Sequence, residues 1–122
     1  MQGLEILEYN GEGYNPTMHF EAWRVAFLHY ADRFENITRL ERHMLTDEVF
    51  VLMKGRAVLF IGEEAEPIEM EWGKIYNVKQ AVWHAIKVTP DAKVLIVENH
   101  NTSADNSEYM PLDPAIAAQV KL

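Results

Sequence analysis

Residues 41–55, ERHMLTDEVFVLMKG, carry the pattern that decides the fold. Glu41 and His43 are two positions apart, so both side chains project from the same face of an extended strand. Glu48 follows a short connection and begins a run that is apolar on both faces, which is typical of a strand covered on both sides. The stretch therefore predicts two successive β-strands that bring a histidine and two carboxylates together.

The flanking segments extend the same pattern along the chain. Short runs rich in Val, Ile, Phe, Trp and Tyr alternate with Gly, Pro, Asp or Asn, a spacing typical of an all-β sandwich or barrel. Asp113 is a good N-cap before Pro114 and a run of helix formers, which predicts one short C-terminal helix. The predicted strands are 22–32, 38–44, 48–54, 56–61, 67–71, 74–78, 83–89 and 93–99.

Turn chemistry predicts how the strands are connected. The glycine of Lys54-Gly55 can adopt the positive φ of a tight turn, which indicates a hairpin between the two strands that flank it. The segment that contains Pro16 and His19 is predicted to be a loop before the first strand, and residues 101–106 are polar enough to form another.

Length and composition limit the class of protein. A chain of 122 residues, 48% of them hydrophobic, has the size of one domain, so we expect a single domain over residues 1–122. The absence of cysteine excludes disulfides and thiolate metal sites, which leaves His, Asp, Glu or water to hold a metal. The net charge of −8, with scattered basic residues, argues against nucleic acid as a partner.

The chain shows no sign of export or membrane insertion. Residues 1–10 lack a cationic region followed by an apolar run, so we expect no signal peptide. No apolar stretch approaches the roughly 20 residues that a membrane span requires. These features predict a cytoplasmic protein.

The outer surface of the predicted barrel is apolar and is expected to be buried against another part of the protein. Strand 48–54 is apolar on both faces, and Trp83 adds to its outward surface. In so short a chain, the cover can come from the N-terminal segment or from a second subunit. We predict a homodimer.

A later strand supplies the second histidine of the candidate site. In an alternating strand, His84 lies on the same face as Val82, Ile86 and Val88. Two imidazoles with one or two carboxylates on an apolar wall suit Fe(II), Mn(II), Ni(II), Co(II) or Zn(II). The alternative is that Glu41 and His43 are solvated on an edge strand, and that His84 is a core histidine bonded to a backbone carbonyl.

Over residues 38–99 the spacing resembles that of the cupin family, whose motifs are G-x5-H-x-H-x3-4-E-x6-G and G-x5-P-x-G-x2-H-x3-N. The residues at motif positions are Glu41, His43, Glu48 and Gly55 in the first and Gly73 and His84 in the second. The resemblance implies a double-stranded β-helix, the jelly-roll barrel of that family. It also implies that His43, Glu48 and His84 occupy three of the metal-ligand positions.

This chain departs from the motifs inside the site. Glu41 stands where the first motif has its leading histidine, and a carboxylate there favours a harder ion such as Mn(II) or Fe(II). Glu41 can be a fourth metal ligand, a catalytic base beside the metal or a salt-bridge partner of Arg39. Arg39 shares its face and is a candidate substrate-binding residue, because a guanidinium forks onto a carboxylate or phosphate.

Function has to come from the site, because the cupin barrel hosts many reactions. The first hypothesis is a metal-dependent enzyme for a small polar metabolite, such as a sugar, sugar acid or small carboxylate. The metal would act as a Lewis acid in isomerase or lyase chemistry, with Glu41 moving a proton. An Fe(II)-dependent dioxygenase is the second option, and a non-catalytic module that binds or senses a small molecule is the third.

Two polar residues close the last predicted strand. Glu98 and His100 share a face and are followed by a polar segment. They can line the barrel mouth and contact a ligand, or they can belong to a solvated turn in which Asn and Asp bond to their own backbone. The solvated turn is the interpretation that the sequence favours.

Overall fold

The computed structural model describes residues 2–122 and contains two antiparallel sheets of five strands each. The first sheet has the strand order β1-β2-β9-β4-β7 and the second has the order β10-β3-β8-β5-β6. The all-β prediction is confirmed. The elements are β1 Tyr14–Phe20, β2 Trp23–His29, β3 Arg39–His43, β4 Glu48–Lys54, β5 Ala57–Ile61, β6 Glu66–Glu69, β7 Tyr76–Val78, β8 His84–Val88, β9 Lys93–Asn99, β10 Ser107–Pro111 and helix α1 Pro114–Ala118.

The main core lies between the two sheets, and alternation along the strands determines which residues enter it. The buried positions of β9 are Val94, Ile96 and Glu98, and β4 and β8 alternate in the same way, starting from Glu48 and His84. Because β4 and β9 pair antiparallel, the start of β4 lies beside the end of β9. The alternation that turns apolar side chains into the core therefore also turns Glu48, His84 and Glu98 into one end of the barrel.

The C-terminal segment covers the outer face of the second sheet. Leu40, Val58 and Phe60 pack there with Leu112 and Ala117 in a second apolar cluster. The predicted C-terminal helix is confirmed as α1, and its Asp113 N-cap accepts a hydrogen bond from the amide of Ala115. Within residues 2–122, no helix combines the length and apolar character needed to cross a membrane.

The outer face of the first sheet is less well covered. Val49 and Val51 are half-buried there, and Met53 is 53% exposed at the end of β4. Phe20 and Trp23, at the turn between β1 and β2, are 58% and 43% exposed. This sheet face therefore retains an apolar surface.

The Lys54-Gly55 hairpin prediction is wrong. Gly55 has the expected positive φ of 75°, but β4 lies in the first sheet and β5 in the second. A Cβ at this position would lie 2.7 Å from the Cα of Ala92, so the chain passes close to the neighbouring backbone as it crosses between sheets. A positive-φ glycine serves a sheet-crossing corner as well as it serves a hairpin.

Two edge strands lie where loops were predicted or no strand was assigned. β1 contains Pro16 and His19 and pairs only with β2, and its register shifts at Pro16. β10 ends at Pro111 and pairs with β3 at the edge of the second sheet. Proline and polar residues are tolerated on edge strands because one side of each strand has no ladder to maintain.

Candidate functional site

The predicted site residues come from three strands and meet between the two sheets. Glu41 and His43 lie on β3 and His84 begins β8, and Glu41 is paired directly with His84 across the second sheet. Glu48 begins β4 of the opposite sheet. The structure thus brings together all four predicted ligand positions.

The distances within this cluster are short. Glu48 Oε1 lies 3.1 Å from Nε2 of His43 and 2.9 Å from Nε2 of His84. Glu41 Oε1 is farther from the same two nitrogens, at 3.8 and 4.0 Å. The side chain of Glu41 is 39% exposed, whereas those of Glu48 and His84 are almost wholly buried. Glu41 therefore borders the cluster and the other three form its interior.

Hydrogen bonds on the far side of each imidazole orient the rings. His84 Nδ1 lies 3.0 Å from the carbonyl oxygen of Val82, and His43 Nδ1 lies 2.8 Å from Oγ of Ser107. A carbonyl only accepts, so His84 carries its proton on Nδ1, and the Nε2 of the neutral ring turns a lone pair toward Glu48. Metal-ligating histidines usually have this arrangement, with the outer nitrogen bonded to a carbonyl or carboxylate.

The contact between His84 and Glu48 indicates whether these side chains are suited to bind a metal ion. With His84 neutral, a lone pair on Nε2 and a carboxylate oxygen would face each other at 2.9 Å. Either a second proton on the ring or a cation between the two groups resolves this repulsion. Imidazole nitrogens and carboxylate oxygens are ligands for divalent transition metals, so the donor set fits such an ion.

The ionisable groups of the cluster change one another's pKa values. Burial raises the pKa of Glu48, but hydrogen bonds from His43 and His84 outweigh burial and hold the pKa at about 2. Burial lowers the pKa of His43 and of His84, and the bond and attraction to Glu48 outweigh it, so both pKa values are raised. Without a cation, the cluster is therefore an anionic carboxylate between two readily protonated imidazoles.

Glu98 also joins this cluster, although the sequence favours a solvated turn at this position. Its side chain is only 3% exposed, and one carboxylate oxygen lies within 4.8 Å of ligand atoms of His43 and Glu48. Burial, and then repulsion from Glu48, raise the pKa of Glu98. The interpretation as a solvated turn is wrong for Glu98, because the alternation that buries Val94 and Ile96 continues to the end of the strand. That alternation was the signal available in the sequence.

A cavity of about 270 Å³ opens onto the cluster. Leu28, Phe50 and Ile86 form part of its apolar wall, and His43, Glu48, His84 and Glu98 line it as well. Its exposed lining residues include Arg33, Asn36, Thr38, Arg39 and Tyr109. The cavity therefore connects a charged mouth with a buried cluster of histidine and glutamate.

Arg39 lies in that mouth and does not pair with Glu41. Its guanidinium stacks over the ring of Tyr109, 4.0 Å from the centroid, and Arg33 stacks in the same way over Phe34 at 4.5 Å. Within residues 2–122, neither arginine forms an ion pair with a carboxylate. Both guanidinium groups therefore keep donors available to a ligand.

Comparisons with solved structures identify the architecture. A cupin of the RmlC-like family from Methanocaldococcus jannaschii, described as a double-stranded β-helix, aligns at a TM-score of 0.63 with 13% identity over 81% of this chain and 93% of its own. KdgF from Halomonas sp. aligns at 0.57 with 12% identity over 70% and 77% of the two chains. The chain therefore has the cupin-type double-stranded β-helix fold.

A characterised enzyme is also similar in fold. Pac13 of Streptomyces, described as a nucleoside dehydratase and solved with uridine, aligns at a TM-score of 0.65 with 7% identity over 88% of this chain and 87% of its own. No protein-family model matches the sequence, and no curated protein sequence matches it significantly. At these identities the likeness concerns the fold, and the chemistry has to be argued from the side chains.

Proposed function

We propose that this protein binds a divalent transition metal and a small anionic metabolite of the sugar-acid or short-carboxylate class, and that it catalyses an isomerase or lyase reaction. The observation that carries this proposal is the cavity. It joins a buried group of imidazoles and carboxylates to a mouth with two arginines that are not paired with carboxylates of residues 2–122.

His43, Glu48 and His84 would hold the metal. Their donor atoms already converge without rearrangement of the strands, and Val82 and Ser107 orient the two imidazoles from outside. A bound divalent ion supplies Lewis-acid polarisation of a carbonyl or carboxylate group. Two imidazoles and one carboxylate, with no sulfur ligand, form a donor set that is typical of Fe(II) among the candidates.

Glu41 is the candidate catalytic base. It borders the cavity, is partly exposed, and lies farther from the imidazoles than Glu48 does. A carboxylate in this position can accept a proton from a substrate carbon or hydroxyl and return it to another atom. Proton transfer of this kind is common to isomerisation and to elimination of water.

Arg39 and Arg33 define the class of ligand. A guanidinium matches a carboxylate with two parallel hydrogen bonds, and stacking on an aromatic ring holds its plane in place. The cavity of about 270 Å³ is slightly below the range of about 300–1,000 Å³ that is usual for drug-sized ligands. A metabolite of a few carbons with one carboxylate fits both features.

The fold likeness to a nucleoside dehydratase adds nucleosides to the ligands worth testing. An Fe(II)-dependent dioxygenase is a second candidate. It is favoured by the two-histidine, one-carboxylate arrangement of His43, His84 and Glu48, which can leave positions on an ion open to substrate and oxygen.

We also propose that the protein is a cytoplasmic homodimer with one domain over residues 1–122. The exposed apolar side chains of the first sheet, among them Trp23 and Met53, support association of two copies through that face.

Metal analysis tests the first part of the proposal. Elemental analysis of purified protein should find close to one transition metal per chain, or the metal-free protein should take up Mn(II), Fe(II), Co(II), Ni(II) or Zn(II) in a titration. If the protein contains none of these metals and binds none of them, both enzymatic candidates are excluded.

A ligand panel tests the second part. Hydroxy acids, uronic acids, neutral sugars and nucleosides would be incubated with the metal-loaded protein and followed by NMR for binding and turnover. We expect the Arg39→Gln variant to lose at least about tenfold in affinity for carboxylates, since a charged hydrogen bond contributes about 1.5–3 kcal/mol. Arg56→Gln, which removes an exposed guanidinium paired with Glu69, is the matched control. Equal affinity in both variants would exclude Arg39 from the ligand site.

A further inference from the structure

Glu98 is a buried carboxylate that the predicted ligand set does not include. It lies on β9, next to the start of β4, and lines the cavity together with His43 and Glu48. Its side chain is 3% exposed. A carboxylate removed from water to this degree needs hydrogen bonds or a cation to compensate for the hydration it has lost.

One oxygen of Glu98 is fully engaged. Oε2 accepts a hydrogen bond from the hydroxyl of Tyr14 and lies 3.4 Å from Nη2 of Arg24. The guanidinium of Arg24 is itself fixed, because its Nε donates to the Tyr14 hydroxyl at 3.2 Å and its Nη1 donates to the carbonyl of His100 at 3.0 Å. Tyr14 and Arg24 therefore hold the carboxylate from its outer side.

The other oxygen of Glu98 is buried and has no hydrogen-bond partner among residues 2–122. Buried polar atoms without a partner are rare in folded proteins, and each one calls for an explanation. Because Oε2 is occupied, Oε1 is the oxygen left for a ligand.

The surroundings of the Glu98 carboxylate are those of a cation site. His43, Glu48 and Glu98 each present a ligand atom, and these atoms lie within 4.8 Å of one another. All three residues are buried, whereas the other group that meets this criterion includes the partly exposed Glu41. Two buried carboxylates facing each other are stabilised by a divalent ion more than by any neutral partner.

We propose that Glu98 is a metal ligand of this protein, and that Tyr14 and Arg24 are positioning residues that turn its second oxygen toward the ion. The inference rests on the proposed metal function. With His43, Glu48 and His84, Glu98 completes a set of two imidazoles and two carboxylates. Glu41 is then left outside the metal shell, at the cavity, where it is available to a substrate.

Mn(II) titration followed by the EPR signal of the free ion tests this assignment. We expect Glu98→Gln to weaken Mn(II) binding at least about 100-fold, since loss of residues outside the ligand shell alone typically costs about 10–100-fold. We expect Tyr14→Phe to weaken it about tenfold and Glu41→Gln to change it little. Glu108→Gln is the matched control, because Glu108 is exposed and pairs with Arg42.

Thermal unfolding of the metal-free proteins separates a ligand from a structural residue. The side-chain amide introduced by Glu98→Gln can donate a hydrogen bond to Glu48, which the carboxylate of Glu98 cannot do. This bond and the removal of the repulsion from Glu48 offset the lost ion pair with Arg24, so the metal-free variant should melt close to the temperature of the wild type. A residue with only a structural role would lower the melting temperature and the Mn(II) affinity together.

The possible outcomes separate the two proposals. Wild-type protein that binds none of the five metals would overturn the proposed function. Wild-type protein that binds Mn(II) no more tightly than the Glu98→Gln variant does would overturn only the assignment of Glu98. If Glu98→Gln does not fold, Tyr14→Phe decides the question, and unchanged Mn(II) affinity in that variant would overturn the assignment.

Discussion

Single hydrogen bonds determine the chemistry of the histidines in this site. The Val82 carbonyl fixes the proton of His84 on Nδ1, so that the nitrogen that faces Glu48 is either a lone-pair donor or carries a second proton. His43 is more adaptable, because the hydroxyl of Ser107 can donate to its Nδ1 or accept from it. The protonation of His84 is therefore tied to whether a cation lies between it and Glu48.

The metal-free protein should lose stability as the pH rises above the ordinary histidine value. The pKa values of His43 and His84 are raised in the folded state, so their contribution is complete below about 6.5 and is lost as the pH rises through the raised values. Glu48 acts in the opposite sense, since its contribution is present above about 4.5 and is lost as the pH falls toward 2. The pKa of Glu98 is raised by its burial, so its contribution is complete below about 4.5 and is lost as the pH rises through the raised value.

The stabilisation by metal should have the reverse dependence, because an ion competes with protons for the imidazoles. Melting temperatures with and without Mn(II), measured between about pH 5.5 and about pH 8, should diverge as the pH increases. An Mn(II)-dependent shift of the same size at both ends of this range would contradict the involvement of His43 and His84.

The positions of secondary-structure elements explain which residues reach the site. β4 and β9 lie in the interior of the first sheet, and their bounds, Glu48–Lys54 and Lys93–Asn99, agree with the predicted strands because both are continuous apolar runs. The connection after β4 crosses between the sheets and is not the predicted hairpin. A tight hairpin and a crossing between packed sheets both require a residue with positive φ, so Gly55 is compatible with either connection.

Alanine substitutions at two glycines distinguish this corner from an ordinary turn. Gly55 and Gly62 both have positive φ, but a Cβ at Gly62 meets nothing within 4 Å, while one at Gly55 would clash with the backbone of Ala92. We expect Gly62→Ala to lower the free energy of unfolding by about 1 kcal/mol. Gly55→Ala should cost a further amount of about 1–3 kcal/mol from the clash. Urea unfolding measures both, and equal effects would mean that the corner relaxes without cost.

At the scale of the whole molecule, the two sheets have different outer surfaces. The C-terminal segment covers the second sheet, and Lys87 ties it down by donating to the carbonyls of Ala117 and Val120. The first sheet keeps exposed Trp23 and Met53 beside half-buried valines. An apolar surface of this kind on one side of a small protein is typical of an interaction surface.

Light scattering coupled to size-exclusion chromatography should show the wild type at about twice the chain mass of 14.1 kDa. A glutamate within the contact would be buried without a partner, so Met53→Glu should convert the protein to monomers. Ile116→Glu, on α1 at the opposite side of the molecule, is the control and should remain dimeric. A monomeric wild type, or a dimer unaffected by Met53→Glu, would exclude this face as the contact.

The sequence by itself determined the class of fold, the two central strands and the C-terminal helix, and it predicted that Glu41, His43, Glu48 and His84 lie close together. Hydrophobic alternation and motif spacing are local properties, and they survive in any β structure that the chain forms. The sequence does not predict the two edge strands, because strands with one free side accept proline and polar residues.

Tertiary structure alone decided which strands face each other, and with them the environment of the polar residues. The predicted solvated turn is not formed at Glu98, because the pairing of β9 with β4 brings this residue close to Glu48. The hydroxyl of Tyr14 donates a hydrogen bond to its carboxylate. The salt bridge between Arg39 and Glu41, one of the alternatives that the sequence allows, is not formed, because Arg39 stacks over Tyr109. These contacts join residues that are distant in the chain, and the energy of burying a charge depends on neighbours that local sequence does not specify.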